Sequence, residues 1–324
     1  MKAEKQGKIY LNQIETAMSP EGTSMWNTMG KMLKGTKNRR PSEVLDTAPI
    51  NLINSSIQPG MPPPGQNSFI WLGHSSLYLR LDDVKLLIDP VFSSSASPIP
   101  FLGPKAFKYS NPYSPEQFHN IDAILISHDH YDHLDKQAIK FFKDKVEQFI
   151  VPMNLGEILQ KWGVDPEKIT EVNWGDNLIL KNKIKLVAET GRHFSGRGIL
   201  NRNSTLWCSY IIESKSTRIF FSGDSGYGPH FKKIGDDYGP FDLAFIECGQ
   251  YNENWPLIHM MPEETAQASS DLSAASFVPI HWSKFALSLH AWDEPPKRAE
   301  IAAQKSKTRI ILPIIGDMNY LSDD

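Results

Sequence analysis

The chain predicts an α/β fold in which two sheets are covered by helices. Three observations carry this. Apolar runs of strand length recur along most of the 324 residues. Helix-like stretches are interspersed among them rather than gathered in one block. One run breaks off into a loop dense in histidine with a helical pattern behind it, the strand, loop, helix order in which α/β folds place their chemistry.

Residues 1 to about 66 are the least regular part. They hold a polar start, the segment Met25 to Leu33, a basic run from Lys34 to Arg40, and the cluster Pro59-Gly60-Met61-Pro62-Pro63-Pro64-Gly65, which reads as a stiff linker. A single domain is expected over 67–324. It opens with Phe69 to Leu72, Ser76 to Leu81 and Val84 to Ile88, an antiparallel meander that turns at Asp82-Asp83. Ile121 to Ser127 is the run that ends in the histidine loop, and Leu134 to about Lys145 is the helix behind it. Further strands are expected at Gln148 to Pro152, Lys183 to Glu189, Trp207 to Glu213, Thr217 to Ser222, Asp242 to Glu247, Ser276 to Pro279 and Thr308 to Leu312. Helices are expected near Asn154 to Trp162, Pro229 to Ile234, Pro262 to Leu272 and Pro295 to Lys305. No tandem repeat or low-complexity tract is evident.

Composition narrows the function. With 40% hydrophobic and 22% charged residues the chain is an ordinary globular one, not a disordered one. The net charge of −3, from 34 basic and 37 acidic residues, provides no overall positive field for a polyanion, so nucleic acid is not an expected partner. Cys208 and Cys248 are too few for a disulfide framework and suit buried thiols in a reducing compartment. The N-terminus has no apolar signal core, and no run approaches the roughly 18 apolar residues of a membrane span. A cytoplasmic location is expected.

The chemistry concentrates at His128-Asp129-His130-Tyr131-Asp132-His133, three histidines and two carboxylates in six residues directly after a strand. In an extended chain residues two apart point the same way, so His128 and His130 can grip one metal ion. Asp132 and His133 would face elsewhere, which suits a second ion about 3.5 to 4 Å away.

The run Ser127-His-Asp-His-Tyr-Asp-His resembles the signature of the metallo-β-lactamase superfamily. Phe69-Ile-Trp-Leu-Gly-His-Ser, Ile88-Asp-Pro-Val-Phe, Phe101-Leu-Gly-Pro-Lys, Ser222-Gly-Asp-Ser-Gly-Tyr, Ile280-His-Trp-Ser-Lys-Phe-Ala-Leu and Glu294-Pro-Pro extend the similarity to the branch containing the N-acyl-phosphatidylethanolamine-hydrolysing phospholipase D. The resemblance implies an αβ/βα four-layer sandwich. It also implies a seven-ligand site for two zinc ions, with manganese or iron as alternatives. His193 would complete the group of His128 and His130, His281 would join Asp132 and His133, and Asp224 would bridge. Asp132 would take part in catalysis as well as ligation. His259 matches an active-site histidine of the phospholipase branch and would bind the substrate phosphate or protonate the leaving alkoxide. Asp89 and His74 would orient ligands from behind. A cysteine at position 224, the inserted domain of nucleic-acid-processing relatives and the flavodoxin domain of redox relatives are all missing.

The expected activity is therefore a phosphodiesterase of phospholipase D type on N-acyl-phosphatidylethanolamine or a related phospholipid. A sugar-phosphate lactonase and a metal- or phospho-ligand-binding protein without turnover are the alternatives. Met25, Trp26, Met29, Met32 and Leu33 share a helical face with lysines and arginines beside it, so residues 25–40 suit either peripheral contact with an anionic membrane or packing on the domain. His119 and His230 read as surface residues, and His290 is assigned no role.

Overall fold

The computed structural model describes residues 2–17, 38–50, 52, 66–99, 103–198 and 200–321. The amphipathic segment 25–33, the whole Pro/Gly cluster, and Phe101 and Leu102 lie outside them. A short hairpin comes first, β1 (Lys5–Gln6) with β2 (Ile9–Tyr10).

One sheet contains β3 (Ser68–Trp71), β4 (Leu77–Leu81), β5 (Val84–Ile88), β6 (Ala123–Leu125), β7 (Gln148–Pro152) and β8 (Ile169–Val172), closed at one edge by β16 (Met318–Tyr320). The second contains β9 (Asn177–Leu180), β10 (Ile184–Glu189), β11 (Ser209–Glu213), β12 (Arg218–Phe221), β13 (Leu243–Glu247), β14 (Ser276–Ile280) and β15 (Arg309–Ile310). Each sheet is antiparallel on one side and parallel on the other. The change falls at β5 in the first, which pairs antiparallel with β4 and parallel with β6, and at β12 in the second.

The inner faces of the two sheets share one core. Phe69, Trp71, Leu79, Leu86 and Ile150 meet Leu186, Tyr210, Ile212, Phe221, Phe245 and Val278, all essentially without exposure. The Phe69 and Phe245 rings meet edge to face at 5.0 Å. Outside the first sheet, α1 (Lys136–Phe142) and α2 (Gly156–Lys161) bury Ile139, Phe142 and Leu159 against Ile124 and Phe149. Outside the second, α3 (His230–Tyr238), α4 (Pro262–Asp271) and α5 (Glu294–Ser306) cover Phe220, Ile246 and Phe277 with Phe231, Ile234, Ala266 and Ala303. The result is the expected four-layer αβ/βα sandwich. Among the described residues no helix is long and apolar enough to cross a membrane.

The sequence reading misses β8, β9, β16 and the β1–β2 hairpin. These are edge or short strands with most of their positions exposed or partly exposed, as in β9, where only Leu180 is buried, so the apolar alternation that marks a strand is weak in them. Residues 2–17 also run along the domain. Tyr10 is buried in the inter-sheet core, its amide donates to the Asn203 carbonyl at 2.8 Å, and the Ala3 amide donates to Asn173 Oδ1 at 2.9 Å.

Chain ends of the parallel strands gather at one rim of the sandwich. The turn after β12 there approaches the segment before α4 so closely that a Cβ on Gly226 would stand 2.0 Å from the Leu257 carbonyl oxygen. We expect Gly226→Ala to cost about 1–3 kcal/mol of stability, read as a lower denaturation midpoint. A midpoint equal to the parent's would show that the 257–259 segment yields freely.

Candidate metal centre

The loop after β6 carries His128, His130, Asp132 and His133. The Asp132 side chain takes a hydrogen bond from His74 Nε2 at 2.8 Å, and His133 donates from Nδ1 to Asp89 Oδ2 at 2.8 Å. Asp89 follows β5, has φ +42°, and also accepts the Ser127 amide at 2.7 Å, so it ties the start of the loop to one of its ligands. Arg197 closes the loop from outside, donating to the carbonyls of Asp129 at 2.7 Å and Leu134 at 2.9 Å. Fixing one ring nitrogen to an acceptor leaves the other aimed inward.

Two groups of side chains result, His128, His130, His193 and Asp224 in one and His74, Asp132, His133 and His281 in the other. Within each group the ligand atoms lie within 4.8 Å of one another. His128 Nε2 is 2.9 Å from His130 Nδ1, which is 3.3 Å from His193 Nε2. Asp224 stands between the groups, with Oδ2 3.7 Å from both His128 Nε2 and His193 Nε2 and 3.2 Å from His133 Nε2. His281, at φ +69° directly after β14, turns Nε2 to Asp132 at 3.3 Å and Nδ1 to Asp224 Oδ1 at 3.0 Å. The structure thus brings together all seven residues proposed as ligands, with His74 in the second group beside Asp132 and Asp89 bonded to His133. His259 joins Asp224 and His281 in a third, looser group.

These residues fit divalent cations. His133 Nε2, Asp224 Oδ1 and His281 Nδ1 are buried and make no directed hydrogen bond, although all three face the shared centre. Unpaired buried polar atoms cost roughly 1–3 kcal/mol each, a cost that a shared cation would remove. Imidazole and carboxylate donors suit zinc, manganese and iron.

A family model described as the beta-lactamase superfamily domain matches residues 85–282. The chain belongs to this superfamily. As a member it is a metal-dependent hydrolase. Among curated relatives, an uncharacterised protein of Mycobacterium tuberculosis is 37% identical over 281 residues, covering 86% of this chain and 74% of its own. The N-acyl-phosphatidylethanolamine-hydrolyzing phospholipase D 1 of Caenorhabditis elegans is 34% identical, covering 66% of this chain and 63% of its own. The mitochondrial enzyme of that name from Saccharomyces cerevisiae is 32% identical, covering 76% and 54%. The chain is thus similar to the phospholipase branch. An isothiocyanate hydrolase from Delia radicum gut bacteria shares the fold at 19% identity with a TM-score of 0.61, covering 78% of this chain and 98% of its own.

Electrostatics divide the superfamily member's histidines into two sets. Burial holds His128 and His193 well below the usual imidazole range, and neighbouring imidazoles add to this for both. Burial also pushes His74 down to about 3. At His133 burial works in the same direction, but the Asp224 and Asp132 carboxylates outweigh it and raise the ring to about 10. His281 is likewise raised against its burial, by Asp224 and Asp132. A cation held between these carboxylates would take His133 and His281 in their neutral form, since only an unprotonated ring nitrogen can act as a ligand.

Several supporting residues escaped the sequence reading. Asn12 clasps the His193 backbone, its Oδ1 accepting the amide at 3.1 Å and its Nδ2 donating to the carbonyl at 2.7 Å. His193 Nδ1 donates to the Ile258 carbonyl at 3.0 Å. Glu247, fully buried at the end of β13, bonds to His259. Its signal was present, a carboxylate closing the apolar run Leu243-Ala-Phe-Ile. His230 is a correction, being buried and bonded to Ser225 Oγ at 3.0 Å, because α3 turns it toward the site rim rather than to solvent. His119 is exposed, and His290 stacks on Tyr251 at 4.3 Å while accepting the Gln250 amide.

Lys284, three residues after His281, is buried and donates from Nζ to the Val91 carbonyl and to Tyr113 Oη. Burial pushes its amine from 10.5 down to about 7. The unfolded chain keeps that proton to higher pH, so the penalty is full below pH 7 and fades as pH rises toward 10.5. The stability of the parent relative to Lys284→Met should therefore rise across this window, as read by urea melts. A pH-independent difference would contradict the burial argument. We also expect Asp132→Ala or His281→Ala to lower bound metal toward one ion per chain by plasma mass spectrometry, and full occupancy would refute their part in the centre.

Proposed function

We propose that the protein is a dinuclear zinc phosphodiesterase that cleaves N-acyl-phosphatidylethanolamine or a related phospholipid in the manner of a phospholipase D. The observation that supports this most is the pocket over the two ligand groups. It has a volume of about 270 Å³, and its lining combines the polar His130, Asp132, Asp224 and His281 with the apolar Phe194, Trp255, Ile258 and Leu287. That volume accommodates a scissile phosphodiester and its nearest substituents, with longer apolar chains leaving through the mouth. The similarity to the worm and yeast phospholipases points the same way.

His128, His130 and His193 with Asp224, and Asp132, His133 and His281 with the same Asp224, would hold the two ions. Bound there, the ions supply Lewis-acid polarisation of the phosphoryl group and an acidified water as nucleophile. The side chains do the rest. Asp89 and His74 keep His133 and Asp132 in their rotamers, so the site is preorganised rather than assembled on substrate. Phe194, Trp255, Ile258 and Leu287 exclude bulk water from the reacting centre. His259, only 14% exposed at its side chain, stands at the pocket wall to meet the leaving oxygen.

Protein purified without chelator should carry about two metals per chain, hydrolyse bis(p-nitrophenyl) phosphate, and release phosphatidic acid and N-acylethanolamine from N-acyl-phosphatidylethanolamine micelles. Metal-loaded protein that opens lactones and leaves both phosphodiesters intact would overturn the substrate class.

A further inference from the structure

We propose that Glu247 is the positioning residue for His259, forming with it a carboxylate–imidazole pair that aims His259 Nε2 at the leaving oxygen. This rests on the phosphodiesterase reading above and extends it to a residue outside the seven ligands. Glu247 is fully buried at the C-terminal end of β13. Its Oε1 is 2.6 Å from His259 Nδ1, and its Oε2 accepts the backbone amide of Ser225, the residue after Asp224. The rest of Glu247 is fixed too. Its amide donates to Ser222 Oγ at 2.9 Å, and its carbonyl accepts Thr265 Oγ1 at 2.7 Å.

A carboxylate only accepts, so Nδ1 must be the donor of the pair and Nε2 is the ring nitrogen left for the pocket. The ring also packs against two ligand imidazoles, its centroid 5.2 Å from those of His193 and His281 with the planes tilted at 60° and 50°. Glu247 Oε1 stays 3.8 Å from His281 Nδ1, so its short contact is the one to His259. Burying a carboxylate is expensive unless it is hydrogen-bonded throughout. Here the partners include an imidazole that faces the reaction space, and a purely structural residue at this strand end would be served as well by an amide or an apolar side chain.

In the hydrolysis, water oxygen bonds to phosphorus and the bond from phosphorus to the ethanolamine oxygen breaks, its electron pair staying on that oxygen. The oxygen takes a proton from His259 Nε2 and leaves as the alcohol, and the ring regains a proton from the one the water has lost. Nitrophenolate needs no such proton. The pair is therefore tested by comparing bis(p-nitrophenyl) phosphate with a short-chain N-acyl-phosphatidylethanolamine in the parent, Glu247→Gln, His259→Ala and the double variant, all reconstituted with zinc.

The expected result is that the ratio of kcat/KM for the lipid to that for the nitrophenyl ester falls about 10²-fold or more in each single variant, with the double variant no worse than either and the metal content unchanged. Glu247→Asp should recover part of the ratio, and it also serves if Glu247→Gln does not fold. Independently of turnover, a downfield ring N–H proton resonance that disappears in His259→Ala should move upfield in Glu247→Gln. An unaltered ratio in Glu247→Gln, equal losses on both esters, or metal loss in His259→Ala, which would make His259 a ligand, each overturns the pair. If the parent cleaves neither ester the phosphodiesterase reading falls instead. The ring resonance then decides the pair alone, a shift in Glu247→Gln upholding it and an unmoved signal refuting it.

Discussion

Asp224 is the charge on which the centre depends. Five ligand imidazoles crowd together at the pocket, four of them almost without exposure, where like charges repel strongly and single charges are poorly solvated. Its carboxylate touches both groups of ligands, and although burial opposes ionisation there, His133 and His281 hold it well below the usual carboxylate range. Without this anion His128 and His193 would lose the carboxylate they both face, and Asp132 alone would remain between His133 and His281. The turn after β12 that carries it is fixed in turn by Glu247 through Ser225 and by the close approach at Gly226.

The sandwich makes that meeting possible because each sheet contributes part of the centre. The first sheet delivers the loop after β6, with Asp89 from the end of β5 behind it, and the second delivers His193, Asp224 and His281 from the loops after β10, β12 and β14. The inter-sheet core is therefore also the ruler of the site, since a shift of one sheet over the other would separate His128 from His193. Large flat rings such as Trp71, Trp174, Trp207 and Tyr210, all nearly without exposure, give that core little room to slide.

Much of this was legible in the residues. The histidine loop announces metal chemistry through its density and its two-residue spacing. The apolar runs over 69–88 and 148–152 are strands because alternation and β-branched or aromatic residues leave few other options. His193, Asp224 and His281 were placed through family resemblance, since nothing local distinguishes Thr190-Gly-Arg-His from any turn. What stayed hidden depends on long-range meetings. Asn12 and His193 are 181 positions apart, and a lone asparagine in a polar start carries no trace of its partner. Glu247 gave a fainter cue than the loop, because one acid at a strand end is usually a turn. His230 looked superficial because helix phase, not composition, sends it inward.

The clasp of Asn12 on His193 ties the earliest described residues to the heart of the molecule. Tyr10 sits in the inter-sheet core and Lys2 pairs with Asp176, so the leading stretch is an architectural strap rather than a free tail. For anyone building reporters or immobilised forms of this hydrolase, residues 2–17 are not a stretch to replace. Trimming into the strap would slacken a ligand-bearing loop from the far side of the sequence.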